Sequence, residues 1–304
     1  MDKYRTSNWH ALSNKNDKKS FAALYTSLGC VYSCEFCCIN APFGNNNIDQ
    51  PFGKPSFRYW NTDFMITELE KLANMGIKNI KFVDEMFVLK QEHYVELCKK
   101  IIERGLEFNI WAYTRINTVK EGYLGLMKQA GINWLACGIE SGSDEVRKGA
   151  IKGSFKEVDI FKVVKEIQNH GINVIGNFIY GLEDDNLETM EMTHDMATEL
   201  NCEFANFYSA MCYPGSGLYL KALKEKWRLP QTYSGFSQHS YDCQPMDTKY
   251  ISNKEVLNFR DKSFMKYYTN STYLNMIETR FGLVSRQEIE NMTKIKLKRK
   301  LLGD

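Results

Sequence analysis

The sequence predicts an α/β protein: an open, partial barrel of six parallel strands built from βα units, with an α-rich C-terminal extension. Two observations carry that prediction. Three helical stretches end in nearly the same phrase, MGIKN, AGINW and HGINV, where a glycine stops a helix and an apolar strand begins at once. Strand-like apolar runs recur six times between Phe21 and Met211, too few to close an eight-unit barrel.

Taken in order, Met1 to Ser20 is polar, contains the run NKNDKK and reads as a lead-in (residues 1–20). The core spans 21–213. FAALYTS, Phe21 to Ser27, is a short apolar run and the expected first strand. Ala41 to Trp60 carries Pro, Gly and three consecutive Asn, which predicts an extended loop closed by Arg58, Tyr59 and Trp60 as packing residues. Helix Thr62–Met75 has Met65, Leu69 and Leu72 on one stripe and Gly76 as its stop, and strand Ile77–Val83 follows. The alternation continues with helix Glu92–Arg104, strand Leu106–Tyr113, helix Lys120–Ala130 and strand Ile132–Ile139. It closes with helix Val158–His170, strand Ile172–Tyr180, helix Leu187–Leu200 and strand Glu203–Met211. Residues 214–304 form the extension. It holds expected helices at Leu218–Trp227 and Lys254–Tyr268, an aperiodic aromatic stretch between them, and a terminal KIKLKRK read as a solvated basic tail without aromatic interleaving.

Composition narrows the function. A chain of 304 residues suits one large α/β domain plus an appendage, and a net charge of +2 supplies no global field for nucleic acid. No apolar run is long enough to span a bilayer, and MDKYRTSNWH lacks the apolar core of a signal peptide. The expectation is a soluble cytoplasmic protein with reduced thiols; nine cysteines, an odd number, argue against a disulfide framework.

Between the first two elements stands LYTSLGCVYSCEFCCIN, with Cys30, Cys34 and Cys37 spaced C-x-x-x-C-x-x-C and Phe36 just before the third cysteine. Three thiolates on so short a loop can wrap a cubane cluster, which takes four ligands when fully protein-bound, so three leave one iron open for chemistry. Zinc would favour a second C-x-x-C pair, and the chain has none. Cys38 is adjacent to Cys37 and reads as a packed neighbour rather than a fourth ligand.

At these residues the sequence resembles the radical S-adenosylmethionine (radical SAM) enzymes. The resemblance implies a 4Fe–4S cluster on Cys30, Cys34 and Cys37, S-adenosylmethionine chelated to its open iron, and reductive cleavage to methionine and a 5′-deoxyadenosyl radical. It also implies a partial βα barrel and an adenine lying against Phe36.

In such a sheet the chemistry collects at the carboxyl ends of the strands. Polar residues do recur there: Asp84 and Glu85 in VDEMF, Arg115 in AYTRIN, Glu140 and Ser141 in GIESGSD, and Asn177, Ile179, Gly181 and Asp184 in GNFIYGLEDD. By the resemblance, Asp84 and Glu85 stand where many members hold the SAM amino group, although VDEMF departs from the commoner Gly-Gly-Glu. Glu140 stands where a carboxylate takes the ribose hydroxyls; its bland reading is a helix cap or a rim residue. Arg115 either clamps the SAM carboxylate in bidentate fashion or pairs with a neighbouring acid. The Asn177, Ile179 and Gly181 segment partly matches an adenine-binding pattern, expected to act through the backbone of an exposed strand edge. Cys98, Cys137 and Cys202 read as buried small hydrophobes, and Cys212 lies near the expected mouth.

The core from Phe21 to Tyr219 looks most like the cobalamin-dependent branch, which implies methyl transfer with cobalamin. About twenty residues precede the first strand, where a cobalamin domain needs on the order of a hundred, so a separate cobalamin-binding protein is one expectation. Hydrogen abstraction without cobalamin, as in epimerisation, dehydration or ring formation, is another; a non-catalytic iron–sulfur partner subunit is a third. The implied partners are a small-molecule substrate, such as a sugar or natural-product intermediate, and an electron donor of flavodoxin or ferredoxin type. Gln238, His239 and Tyr241 in the extension are substrate-site candidates, because that region covers the barrel in the family.

Overall fold

The computed structural model describes residues 21–43, 56–150 and 158–304; the polar lead-in, most of the Asn-rich loop and residues 151–157 lie outside it. The chain runs β1 (Phe21–Leu24), β2 (Ser27–Gly29), α1 (Asn40–Phe43), β3 (Phe57–Tyr59), α2 (Thr62–Asn74), β4 (Asn79–Phe82), α3 (Gln91–Glu103) and β5 (Asn109–Arg115). It continues through α4 (Leu124–Gln129), β6 (Ile132–Glu140), α5 (Asp144–Ala150), α6 (Ile160–Asn169), β7 (Asn173–Tyr180), α7 (Leu187–Leu200) and β8 (Phe204–Ser209). The extension holds α8 (Gly217–Glu225), α9 (Asn253–Tyr268), α10 (Ser271–Phe281) and α11 (Leu283–Thr293). Six strands form one parallel sheet in the order β1-β4-β5-β6-β7-β8, curled into a half-barrel, so the predicted fold class holds.

The repeated glycine phrase has a backbone reason. Gly76, Gly105, Gly131 and Gly171 sit at positive φ, between 61° and 88°, where a helix ends in a left-handed residue. At Gly131 a Cβ would lie 2.3 Å from the Phe108 carbonyl oxygen, so only glycine fits. The asparagines that follow these four glycines also act together. Asn109 Nδ2 donates to Asn79 Oδ1 (3.0 Å), Asn133 Nδ2 to Asn109 Oδ1 (3.1 Å) and Asn173 Nδ2 to the Asn133 carbonyl (3.2 Å). This ladder ties the starts of four neighbouring strands in register.

The expected first strand is two strands. Asp84 accepts from Thr26 N (2.7 Å), Thr26 Oγ1 (2.6 Å) and Ser27 Oγ, which pulls the chain out of the sheet after Leu24. Ser27–Gly29 then pairs antiparallel with Phe57–Tyr59 in a separate two-stranded ribbon. Arg58 and Tyr59, expected as packing residues, are exposed there.

The open edge of the half-barrel at β8 is covered by side chains. Tyr268 OH accepts from Ala205 N (3.0 Å) and donates to Ala205 O (2.6 Å), Arg260 Nε donates to Phe207 O (2.7 Å), and Gln238 both accepts from Ser209 N (3.0 Å) and donates to Ser209 O (2.8 Å). Together they satisfy edge groups that would otherwise template another strand. At the amino ends of the strands Phe281 of α10 stacks on Trp134, and the fully buried Glu203 accepts from Gln168 Nε2 (3.0 Å), Val174 N (2.7 Å) and Arg280.

KIKLKRK is not a solvated tail. Arg299 is fully buried, forms a bidentate pair with Asp261 (2.9 and 3.0 Å) and donates to the carbonyls of Gln238 (2.9 Å) and Ser240 (3.0 Å). The run's lysines surround one arginine that folds the chain terminus back onto α9.

Candidate active site

The cysteine loop leaves the barrel between β2 and α1 and is held at both faces. Glu35 N donates to the last carbonyl of α5, Ala150 O (3.1 Å), and Glu35 O accepts from Leu218 N at the start of α8 (2.9 Å). Within the loop Cys37 N donates to Cys34 O (3.1 Å), Tyr32 N points to Cys30 Sγ (3.5 Å), and Asn40 Nδ2 donates to Tyr32 O (2.8 Å). Gly215, at φ 89°, presses onto α1 so closely that a Cβ would lie 2.7 Å from Ala41 Cβ.

The three thiols share one electrostatic environment. Burial pushes Cys34 and Cys37 up to about 12 and raises Cys30; the negative charge of neighbouring thiols and of Glu140 adds to the rise at Cys34 and Cys37. Arg115 acts in the opposite sense on Cys30 and Cys34. A buried thiol group that is hard to ionise alone needs a cationic centre to become thiolate. Among the described residues no three His, Cys, Asp or Glu side chains are placed to hold a single metal ion.

The acids and the base from the strand ends surround this loop. Glu85 Oε2 accepts from Gly29 N (3.1 Å), which brings it beside the first cysteine. Arg115, almost fully buried at the end of β5, lies 4.2 Å over the Tyr32 ring. Glu140 ends β6 with φ 70°, a left-handed conformation that costs a non-glycine residue roughly 1 kcal/mol. Its carboxylate folds back over Gly138, where a Cβ would come within 2.6 Å of Oε1. Burial pushes Glu140 up to about 7, with Arg115 opposing, and no side-chain hydrogen bond reaches it among the described residues. Strain of this kind persists where the surroundings enforce it, commonly at functional sites.

Other candidates are placed differently. Asp84 is fully buried and engaged by Thr26 and Ser27, a structural tie behind the loop. Ser141 is buried against Thr193 (3.1 Å) and accepts from Ser143 N (3.1 Å), fastening the loop after β6 to α7. Phe36 and Ile179 pack in the same apolar cluster as Leu182 and Leu218, on one side of the mouth. The expectation of an exposed edge along β7 is corrected: β7 lies between β6 and β8, and Asn177 pairs with both. Pairing with β6 stops at Phe178, so only Ile179 and Tyr180 lie beyond it. Gly181, at φ 78°, turns against Val256, and its N–H donates to Asp185 Oδ2 (2.9 Å). Asp185 is thus the acid that organises this turn, while Asp184 pairs with Lys249 (2.5 Å) on the surface.

Gln238 spends its amide on Ser209, and Tyr241 OH donates to the Asp304 carbonyl (3.1 Å), so both engage the scaffold. His239 is pulled below its ordinary pKa by burial and by Arg260 and Arg299. Cys212 is buried 3.9 Å from Met246 Sδ, and burial pushes it up to about 11. Cys98, Cys137 and Cys202 are buried as expected.

Three comparisons bear on this geometry. Residues 24–197 match the model of the radical SAM superfamily. An uncharacterised methyltransferase of Pyrococcus horikoshii is 26% identical over 298 residues, 97% of this chain and 60% of the relative, so the chain spans less than two thirds of that protein's length. The radical S-adenosylmethionine methyltransferase TsrM from Kitasatospora setae, solved with cobalamin and a 4Fe–4S cluster bound, superposes with TM-score 0.59 at 18% identity, covering 68% of this chain and 40% of that one. The cobalamin-dependent S-adenosylmethionine radical enzyme OxsB gives TM-score 0.60 at 13% identity, over 90% of this chain and 45% of its own. No helix among the described residues is long and apolar enough to cross a membrane. With the family model covering more than half its length and three cysteines at the mouth of a half-barrel, the chain belongs to the radical SAM superfamily.

Proposed function

We propose that this chain carries the catalytic core of a radical enzyme, with a 4Fe–4S cluster on Cys30, Cys34 and Cys37 and S-adenosylmethionine beside it. The observation that supports this most directly is that Glu140 and Cys30 both act on Cys34 and on Cys37, and Arg115 on Cys30 and Cys34, at the carboxyl ends of the strands. When bound, the cluster supplies the electron for reductive cleavage of the cofactor. The protein's own residues then bind and orient. Glu140 offers two acceptor oxygens to the ribose hydroxyls, Arg115 a fork of donors to the carboxylate, and Glu85 an acceptor to the amino group. Phe36 and Ile179 offer an apolar wall to the adenine. Asp84 and Ser141 hold the loops in place.

The downstream reaction we favour is methyl transfer to a small molecule, with cobalamin held by a further domain or a separate protein. The methyltransferase relative and the two cobalamin-bound structures support it. The electron donor is of flavodoxin or ferredoxin type, and the setting is the cytoplasm. The test is anaerobic reconstitution with iron and sulfide, then dithionite and S-adenosylmethionine with and without hydroxocobalamin, with 5′-deoxyadenosine read by chromatography. Deoxyadenosine that disappears in Cys34→Ala supports radical initiation. A cluster that forms but leaves the cofactor intact in both conditions points to a non-catalytic iron–sulfur subunit, and no cluster at all refutes the reading.

A further inference from the structure

We propose that Tyr32, two residues past the first cysteine, is the positioning residue that aims the Arg115 guanidinium at the carboxylate of S-adenosylmethionine and ties that grip to the cysteine loop. The proposal rests on the reading above, which gives Arg115 the carboxylate, and adds what holds the arginine in place. An arginine at a strand end reaches its ligand through a long side chain, and the rotamer freedom of that chain must be removed before it can clamp. The backbone end of Arg115 is fixed: it pairs with Gly138 at the end of β5, and its carbonyl accepts from Thr118 Oγ1 (2.9 Å). The guanidinium end meets the Tyr32 ring, with Cζ 4.2 Å from the ring centroid. Tyr32 is fixed in turn. Its carbonyl accepts from Nδ2 of the buried Asn40 at the start of α1 (2.8 Å), and its N–H points to Cys30 Sγ (3.5 Å). One residue thus touches both the first cysteine and the arginine.

The kind of hold matters. Arg299 and Arg260, which serve the scaffold, are gripped through their N–H groups: Arg299 by Asp261 and two carbonyls, Arg260 by Phe207 O and Asp261. An aromatic face attracts a guanidinium through the ring quadrupole and uses none of its five donors. Stacking on Tyr32 is therefore compatible with a bidentate carboxylate at the edge of the same guanidinium. The ring also settles a competition. Arg115 lies within electrostatic reach of Cys30 and Cys34 on the loop and of Glu140 at the end of β6, all of which attract a cation. A seat on Tyr32 keeps the cation with the loop, so the carboxylate grip and the thiols share one frame.

The test uses the cluster-loaded protein without reductant, so that nothing is cleaved. Isothermal titration measures its affinity for S-adenosylmethionine and for decarboxylated S-adenosylmethionine, which keeps the adenosine, sulfonium and amino groups but lacks the carboxylate. Tyr32→Leu keeps apolar bulk without a ring; it should bind S-adenosylmethionine about 10-fold more weakly than wild type, the weight of a desolvated cation–ring contact, and hold the decarboxylated probe within about twofold. Tyr32→Phe keeps the ring and should match wild type with both. In an Arg115→Met background the leucine substitution should cost nothing further, because the partner it acts through is gone. Cluster absorbance should be the same in every sample. The proposal is overturned if Tyr32→Leu binds S-adenosylmethionine as wild type does, if it loses both probes alike, if Tyr32→Phe is equally weak, or if the leucine costs as much beside Arg115→Met. A Tyr32→Leu protein that loads no cluster also overturns it, since the ring then serves only the folding of the loop. Wild-type protein that loads no cluster, or loads one without binding S-adenosylmethionine, refutes the preceding reading and this one with it.

Discussion

Replacing Glu140 with glutamine should stabilise the metal-free protein and at the same time weaken its hold on the cofactor. Burial raises this carboxyl from 4.5 to about 7, so the folded state binds its proton more tightly than the unfolded chain does. The stability that protonation confers is therefore fully present below about pH 4.5 and is lost as pH rises through 7. At about 1.4 kcal/mol per unit the loss reaches roughly 3 kcal/mol at pH 8, an upper bound because the residue is only half-buried. Glutamine keeps the shape and the left-handed backbone without the charge. Its advantage over wild type should be near zero at pH 4.5, grow with pH and level off above 7. Urea denaturation of both proteins at pH 5, 6, 7 and 8, followed by circular dichroism, measures it. An advantage that does not change with pH, or a variant less stable at pH 8, would refute the argument that a half-buried charge without a side-chain hydrogen bond is carried here. In the cluster-loaded enzyme the same substitution should weaken S-adenosylmethionine binding by about 10- to 100-fold, the usual loss when a charged acceptor is removed from hydroxyl donors.

Three further outcomes follow from the scaffold. Tyr268→Phe removes the hydroxyl that serves both Ala205 N and Ala205 O; it should cost about 1–3 kcal/mol in denaturant and speed amide exchange along β8. Arg299→Met leaves Asp261 with only Arg260 and frees the carbonyls of Gln238 and Ser240, so a loss of about 2–3 kcal/mol and early proteolysis near the chain terminus are expected. Gly215→Ala forces a Cβ into a 2.7 Å approach to Ala41 at a positive φ; iron bound per chain after reconstitution should fall, while circular dichroism stays close to wild type.

Much of the fold was legible because helix stops and strand starts are local events. Glycine at Gly76, Gly131 and Gly171 ends a helix by its own backbone freedom, and the apolar run that follows has nowhere to go but the sheet. What stayed hidden depends on partners far along the chain. The break after Leu24 is made by Asp84, 58 residues from Thr26, and nothing in FAALYTS announces it. Arg299 sits among lysines of like composition, and its burial is decided by Asp261, 38 residues earlier. Asp184 and Asp185 are indistinguishable in GLEDDN; only the turn at Gly181 selects the second as the inner one. The cysteine spacing, by contrast, pointed to one loop from the start, because Cys30, Cys34 and Cys37 are contiguous in the chain.

The charges at the mouth contrast with those elsewhere in the chain. Glu203 is fully buried and has Arg280, Gln168 and Val174 N to meet it. Arg299 is fully buried and has Asp261 and two carbonyls. Asp84 is fully buried and takes three hydrogen bonds. A chain that satisfies its buried charges this thoroughly has the means to do so at Glu140, yet there it accepts a strained φ, a raised carboxyl and, beside it, Cys34 and Cys37, both raised by burial and by Glu140. Local rules broken together at one place, and kept around it, mark the point where the protein is complete only with something bound. What would resolve this cluster of groups is a positive inorganic centre for the thiols and a pair of hydroxyls for the carboxylate. A 4Fe–4S cluster and the ribose of S-adenosylmethionine supply both.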